Sequence, residues 1–118
     1  MQFSVRFYVD SHGDRPVLHF LEDLRHAEPM LHKLVVAGIK KIEQSERHGP
    51  PLTEMVNPSD GILELRIGSA NIARVFFFFR RGQEIILTNG YVKKRQKIDI
   101  GALAKARAYK RDWEERFP

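Results

Sequence analysis

Four short pieces of the chain between Glu64 and Lys97 carry cations at spacings that suit phosphate: Glu64-Leu65-Arg66, then Arg74, then Tyr91-Val92-Lys93-Lys94-Arg95, then Lys97. Each lies on or at the end of an apolar segment, and the turn residues Gly68-Ser69 and Arg81-Gly82 separate them. In a meander of three short strands, such positions become neighbours in space although they are far apart in sequence. One sheet surface would then carry Arg66, Arg74 and the Lys93–Lys97 group. Several cations fixed on one surface can hold phosphate oxygens and stabilise developing negative charge.

Each of these residues also has a plainer reading. Glu64 and Arg66 are two apart on a strand and share a face, so they can form an ordinary cross-strand ion pair on a solvent face. Glu64 is read as structural, orienting Arg66 or Arg74. Arg74 shares its face with Ile72, Phe76 and Phe78. An arginine in such surroundings needs an acceptor, which can be a phosphate or the Glu64 carboxylate. Lys93, Lys94, Arg95 and Lys97 read as a basic segment leaving the last strand, either solvated or holding RNA phosphates. Tyr91 beside them can stack a splayed base or pack on the final helix. His12, His26 and His48 fall at turns or helix ends and His19 and His32 on helices, none in metal-ligand spacing, so no metal site is expected. Gly-rich phosphate loops, nucleophile elbows and paired carboxylates are absent from the sequence.

The elements that must position these groups are legible in outline. Phe3, Val5, Phe7 and Val9 alternate with Gln2, Ser4, Arg6 and Tyr8, the period of a half-buried strand. Ser11–Asp14 reads as a turn, with Asp14 as N-cap and Pro16 in the first turn of a helix buried along Val17, Phe20, Leu21 and Leu24. Pro29 opens a second helix with Leu31, Leu34, Val35, Ile39 and Ile42 on its stripe, and Gly49-Pro50-Pro51 stops it. Leu52–Gly61 reads as a loop. Strands are expected at Ile62–Ile67, Ala70–Arg80 and Glu84–Gly90, antiparallel because their turns are short. Phe76 to Phe79 place aromatics on both faces, which makes that strand central. Asp99 caps a last helix with Leu103, Ala106, Tyr109 (or Lys110) and Trp113 on one stripe. The order β-α-α-β-β-β-α predicts an α+β fold with a mostly antiparallel sheet and a C-terminal helix.

Length and composition agree with a single domain over residues 1–118: 42% hydrophobic and 30% charged residues describe an ordinary globular chain. Zero cysteines exclude disulfides and thiolate chemistry. With no long apolar run and no basic-then-apolar leader, the expectation is a cytoplasmic protein without membrane contact. Residues 1–90 carry 11 Lys/Arg against 11 Asp/Glu, whereas residues 91–118 carry 9 against 4, so the whole net charge of +5 sits in the last quarter. A localised positive field attracts polyanions, although a solvated basic helix would show the same count.

The pattern Glu64-Leu65-Arg66, Arg74 before an aromatic strand, Tyr91-Val92-Lys93-Lys94 and a helix containing Ala106 resembles the RelE/HigB superfamily of bacterial toxins, in particular its phage-derived HigB-like branch. The likeness spans nearly the whole element order. It departs in having Tyr91 where the branch usually has Phe, and Lys97-Ile98-Asp99 where a Thr-Pro-like helix start is common. The resemblance implies a RelE-like fold and a type II toxin, a ribosome-dependent mRNA endonuclease that uses no metal or cofactor and is held inactive by a cognate helix-turn-helix antitoxin. By motif position, Arg66 and Arg74 would bind or stabilise the scissile phosphate. Lys93 and Lys94 would anchor RNA or supply the acid, Tyr91 would stack or orient a base, and Arg95 and Lys97 would bind RNA. The general base stays unassigned. Two rivals remain: a non-catalytic nucleic-acid-binding module with the same basic surface, and an interaction protein exposing apolar surface for a partner.

Overall fold

The computed structural model describes residues 3–45, 47–68, 72–93 and 99–118. Lys94, Arg95 and Lys97, three of the cations singled out above, lie outside the described residues. Eight elements follow in the order β1 (Ser4–Phe7), α1 (Pro16–Ala27), α2 (Pro29–Gln44), β2 (Thr53–Asn57), β3 (Ile62–Ile67), β4 (Ile72–Arg80), β5 (Glu84–Lys93) and α3 (Ile100–Arg116). The strands form one sheet in the order β1-β5-β4-β3-β2, with β1 parallel to β5 and the other pairings antiparallel. The fold is α+β with a mixed, mostly antiparallel sheet and a C-terminal helix, and β4 is its central strand.

Alternation along each strand builds two cores. One face of the sheet gives Leu65, Ile67, Val75, Phe77, Ile85 and Leu87 to a cluster closed by Val17, Leu21 and Leu24 of α1 and Leu31, Val35 and Ile42 of α2. The other face is covered by α3: Ala106 sits on Ile62 and Phe76, and Trp113 packs with Tyr8, Phe78 and Ile86. Phe76, Phe77 and Phe78 are all fully or almost fully buried, so covering both faces explains a run of aromatics with no polar alternation. The β4–β5 turn uses Arg81 and Gly82 at φ 51° and 79°, a left-handed pair that lets two antiparallel strands close tightly.

Several local expectations are corrected. Leu52–Gly61 is not all loop: Thr53–Asn57 pairs with β3 as an edge strand. Arg15, not Asp14, occupies the N-cap position of α1, and no side chain caps that helix. The Asp10 carboxylate organises the turn instead, accepting from the His12 and Asp14 amides at 2.8 and 2.9 Å. Leu34 is half exposed, because α2 approaches the sheet along Leu31, Val35, Gly38 and Ile42, with Gly38 set directly against Ile67 and Leu65. Tyr8, expected among the polar positions of β1, is buried; its ring stacks on Tyr109 at 4.5 Å and its hydroxyl donates to Asp112 at 2.6 Å. Finally, β5 runs on to Lys93, so Tyr91 and Lys93 are strand residues and not part of a connector. Asp99 does cap α3, its side chain accepting from the Ala102 amide at 3.0 Å.

Candidate functional site: a buried row of charge across β3, β4 and β5

Register places the candidate residues side by side. Arg66 on β3 is the direct partner of Arg74 on β4, and Arg74 is the direct partner of Tyr91 on β5. One pair further along, Lys93 lies opposite Ile72. Glu64 is two residues from Arg66 and opposite Phe76. Because strand side chains alternate, Glu64, Arg66, Arg74, Tyr91 and Lys93 all belong to the face that α3 covers. A bulge keeps this phase: between Val75↔Gly90 and Phe77↔Leu87, β5 spends one residue more than β4. The Thr88 hydroxyl donates to the Phe76 carbonyl at 3.2 Å and to Asn89 Oδ1 at 2.9 Å, and the Asn89 amide group donates to the Ala102 carbonyl at 3.0 Å. That chain of bonds ties the bulge to the first turn of α3.

Two of these charges are far less solvated than those of a surface ion pair, whereas Arg66 and Glu54 keep part of their surface in solvent. Arg74 is 3% exposed and Glu64 6%. Glu64 Oε1 lies 3.3 Å from both Arg66 Nε and Arg74 Nε, and Arg66 Nη1 also donates to Glu54 on β2. The Glu64 contacts lack hydrogen-bond alignment. Arg74 Nε and Nη1, Arg66 Nε and Glu64 Oε2 are therefore buried without a hydrogen-bond partner among the described residues. A solvent-face pair between Glu64 and Arg66 was expected; α3 covers that face, and the pair is a network of Glu54, Arg66, Glu64 and Arg74.

Burial sets the proton affinities. It pushes the Glu64 carboxyl above its ordinary value although Arg74, Arg66 and Lys93 pull the other way. It lowers Arg74, which Glu64 opposes, and raises Tyr91, with the Glu64 charge adding to the rise. Desolvation outweighing the attraction between partners is the signature of charges held in place at a cost. Tyr91 also packs, its ring 5.5 Å from Phe76 and beside Ala102 and Leu103 of α3.

Elsewhere the C-terminal charge is partly spent: Arg107 pairs with Asp60 at 2.6 Å, Lys110 with Glu114 at 3.2 Å and Arg116 with Asp112 at 2.8 Å. Glu54 was the residue that sequence reasoning missed. Its signal was Thr53-Glu54-Met55-Val56, a β-branched alternation only a few residues long, hidden between Pro50-Pro51 and Asn57-Pro58.

Residues 22–111 match the family described as phage-derived protein Gp49-like (DUF891). The chain belongs to that family. It is one of the families of the RelE/HigB-like toxin superfamily and is related to toxin–antitoxin systems. The matched span contains Glu54, Glu64, Arg66, Arg74, Tyr91 and Lys93, the whole described row. No curated protein matches the chain. No helix among the described residues is long and apolar enough to cross a membrane.

Proposed function

We propose that this Gp49-like chain is the toxin of a type II toxin–antitoxin system, of the HigB-like branch. In this reading it is a cytoplasmic, metal-independent mRNA endonuclease that cuts translated message on the ribosome and is neutralised by a helix-turn-helix antitoxin. One observation carries the reading: Arg66 and Arg74 are directly paired across two strands, with guanidinium N–H groups that are buried and unsatisfied. A desolvated donor without an acceptor binds an anion far more strongly than a hydrated one, and it needs no reorganisation when charge develops.

The chemistry uses these groups as follows. The 2′-hydroxyl of one nucleotide gives up its proton to water as its oxygen attacks the adjacent phosphorus, forming a 2′,3′-cyclic phosphate, while the bond to the 5′-oxygen breaks and that oxygen takes a proton. Arg66, the more exposed arginine, and Arg74 behind it stabilise the extra negative charge of the pentavalent intermediate. Glu64 holds both arginines at the correct spacing. Lys93 and Lys94 anchor the RNA or protonate the leaving oxygen, Tyr91 orients a base, and Arg95 and Lys97 take flanking phosphates. Placement of the message by the ribosome supplies the alignment that weak acid–base groups on the toxin do not.

The test is induced expression, followed by mapping of cleavage in translated mRNA, comparing the chain as it stands with Arg66→Ala. Growth arrest with cleavage that Arg66→Ala abolishes supports the nuclease. Intact message and binding of RNA without cutting would leave the non-catalytic nucleic-acid-binding module.

A further inference from the structure

Beyond Phe7↔Leu87, β1 no longer accompanies β5, which continues to Lys93. A cleft of about 480 Å³ opens there, between α1 and α3, with the Asn89–Tyr91 stretch of β5 at its base. Its size is that of a small-ligand site. Three aromatic rings line it: Phe20 from α1, Tyr91 from β5 and Tyr109 from α3. Gly90 is what lets Phe20 reach the strand, since a Cβ at that position would lie 2.4 Å from the ring.

Polar groups line the cleft as well, among them His19, and two of them are already engaged within the protein. Asn89 is bonded to Thr88 and Ala102, and Asp99 Oδ1 to the Ala102 amide. Asp23 on α1 and Lys105 on α3 line the same cleft, are exposed, and make no ion pair with each other or with any other described residue. An acceptor and a cation held apart across an aromatic-lined cleft complement a ligand that has a donor edge, a flat ring and a phosphate. Tyr91 joins this cleft to the arginine row, because it is the direct strand partner of Arg74.

We propose that this cleft is a base-recognition site for single-stranded RNA, taking a base that carries an exocyclic amino group. The ring stacks among Phe20, Tyr91 and Tyr109, the Asp23 carboxylate accepts from the amino group, and Lys105 meets the phosphate of the same nucleotide. The inference rests on the nuclease reading for its polymer, and it adds a subsite away from the scissile phosphate that selects bases with an amino donor over uracil. Uracil sets a carbonyl oxygen where cytosine carries its amino group, so it would meet the Asp23 carboxylate with repulsion instead of a donor, which is where discrimination arises.

Mononucleotides test this without any cleavage. Full-length chain is titrated with AMP, GMP, CMP, UMP and inorganic phosphate while the backbone resonances of Gly90, Ala102 and Lys105 are followed by NMR. At least one amino-bearing nucleotide is expected to bind there roughly tenfold more tightly than UMP. Asp23→Ala should erase that preference, and Lys105→Ala should weaken all four nucleotides alike. Equal binding of UMP overturns the proposal, as does a response to inorganic phosphate alone, or a cleft filled only by a protein partner. If nucleotides leave the cleft untouched while mRNA cleavage still depends on Arg66, the subsite falls and the nuclease reading stands. If the cleft discriminates bases but message is never cut, the nuclease reading falls and the subsite belongs to a binding module.

Discussion

Replacing Arg74 by methionine removes a buried charge while keeping an unbranched side chain, and it should produce a stability loss that depends on pH. Without Arg74 the Glu64 carboxylate loses its largest attractive influence, so its folded-state pKa, already raised by burial, rises further. Glu64 has an escape, because it can take up a proton. The cost of that uptake is bounded by the distance between the ambient pH and the ordinary carboxyl value of 4.5. At about 1.36 kcal/mol per unit, this electrostatic loss is at most roughly 3.4 kcal/mol at pH 7 and roughly 0.7 at pH 5. The sign follows from linkage: a carboxyl with a raised folded pKa holds its proton more tightly when folded, so stability falls as pH climbs through that pKa. In Arg74→Met the fall extends to higher pH, and the gap to the unmodified chain widens upward from pH 5. Glu64→Gln is the matched contrast, since an arginine cannot shed its proton in this range and the buried cation stays uncompensated at every pH. Urea melts of all three chains at pH 5, 6, 7 and 8 measure both behaviours. A loss in Arg74→Met that is the same at pH 5 and pH 8 would refute the idea that Glu64 depends on Arg74.

Further outcomes follow from the same geometry. Arg66→Ala, Arg74→Met and Lys94→Ala should each lower the rate of mRNA cleavage by about 10²–10³, the scale of losing one donor aimed at a developing anion, as read in a reconstituted translation assay. Glu54→Gln frees Arg66 from an exposed pair, so it should cost under about 1 kcal/mol of stability and tighten RNA binding in a filter assay. Gly90→Ala drives a methyl into the Phe20 ring, whereas Gly38→Ala meets only the tip of Ile67; a loss of about 1–3 kcal/mol is expected for the first and less for the second in denaturant melts. Tyr8→Phe deletes the hydroxyl donated to Asp112, about 1.5–3 kcal/mol for a bond to a charged acceptor. That bond holds the Asp112 carboxyl below its ordinary value, so its contribution should be present at neutral pH and fade as acid protonates Asp112.

The sequence made the frame of this molecule readable because its periodicities are strong. Alternation through Phe3–Phe7, the helical stripes of α1 and α3 and the aromatic run of β4 each allow one burial pattern, and short turns left β3, β4 and β5 only antiparallel pairing. The adjacency of Arg66 and Arg74 was legible on the same grounds, since turn length sets register; that of Arg74 and Tyr91 was not, because turn length alone sets Gly90 opposite Arg74 and the bulge moves Tyr91 there. Legibility failed where tertiary contacts decide. Nothing local says that α3 will cover the face carrying Glu64, so a carboxylate nearly closed to solvent reads in sequence as half of a surface pair. Nothing local marks Glu54 as part of that network, because a five-residue edge strand buries too little to impose a pattern on its composition. The pairing of β5 as far as Lys93 includes a bulge that shifts the register by one residue, and because Ile85–Asn89 are all buried no polar alternation reveals that shift.

Burying this network is expensive, and that bears on why it is there. A fold optimised for stability alone would fill the space under α3 with apolar side chains, since a buried ion pair commonly contributes less than a packed hydrocarbon of equal volume. Here two arginines and a glutamate sit with several donors and an acceptor unsatisfied, on the face of the sheet that α3 covers. The large aromatic core around Phe76, Phe77 and Phe78 offsets the penalty and fixes the backbone that holds the guanidinium groups. In the nuclease proposed above, a phosphate arriving at Arg66 would meet donors that the protein itself leaves open, and the free energy withheld during folding would reappear as affinity for it. The same reasoning favours a sheet over a loop for these cations: each arginine stands on a strand with a neighbour on both sides, and a cation set on a loop would relax toward water before any phosphate reached it.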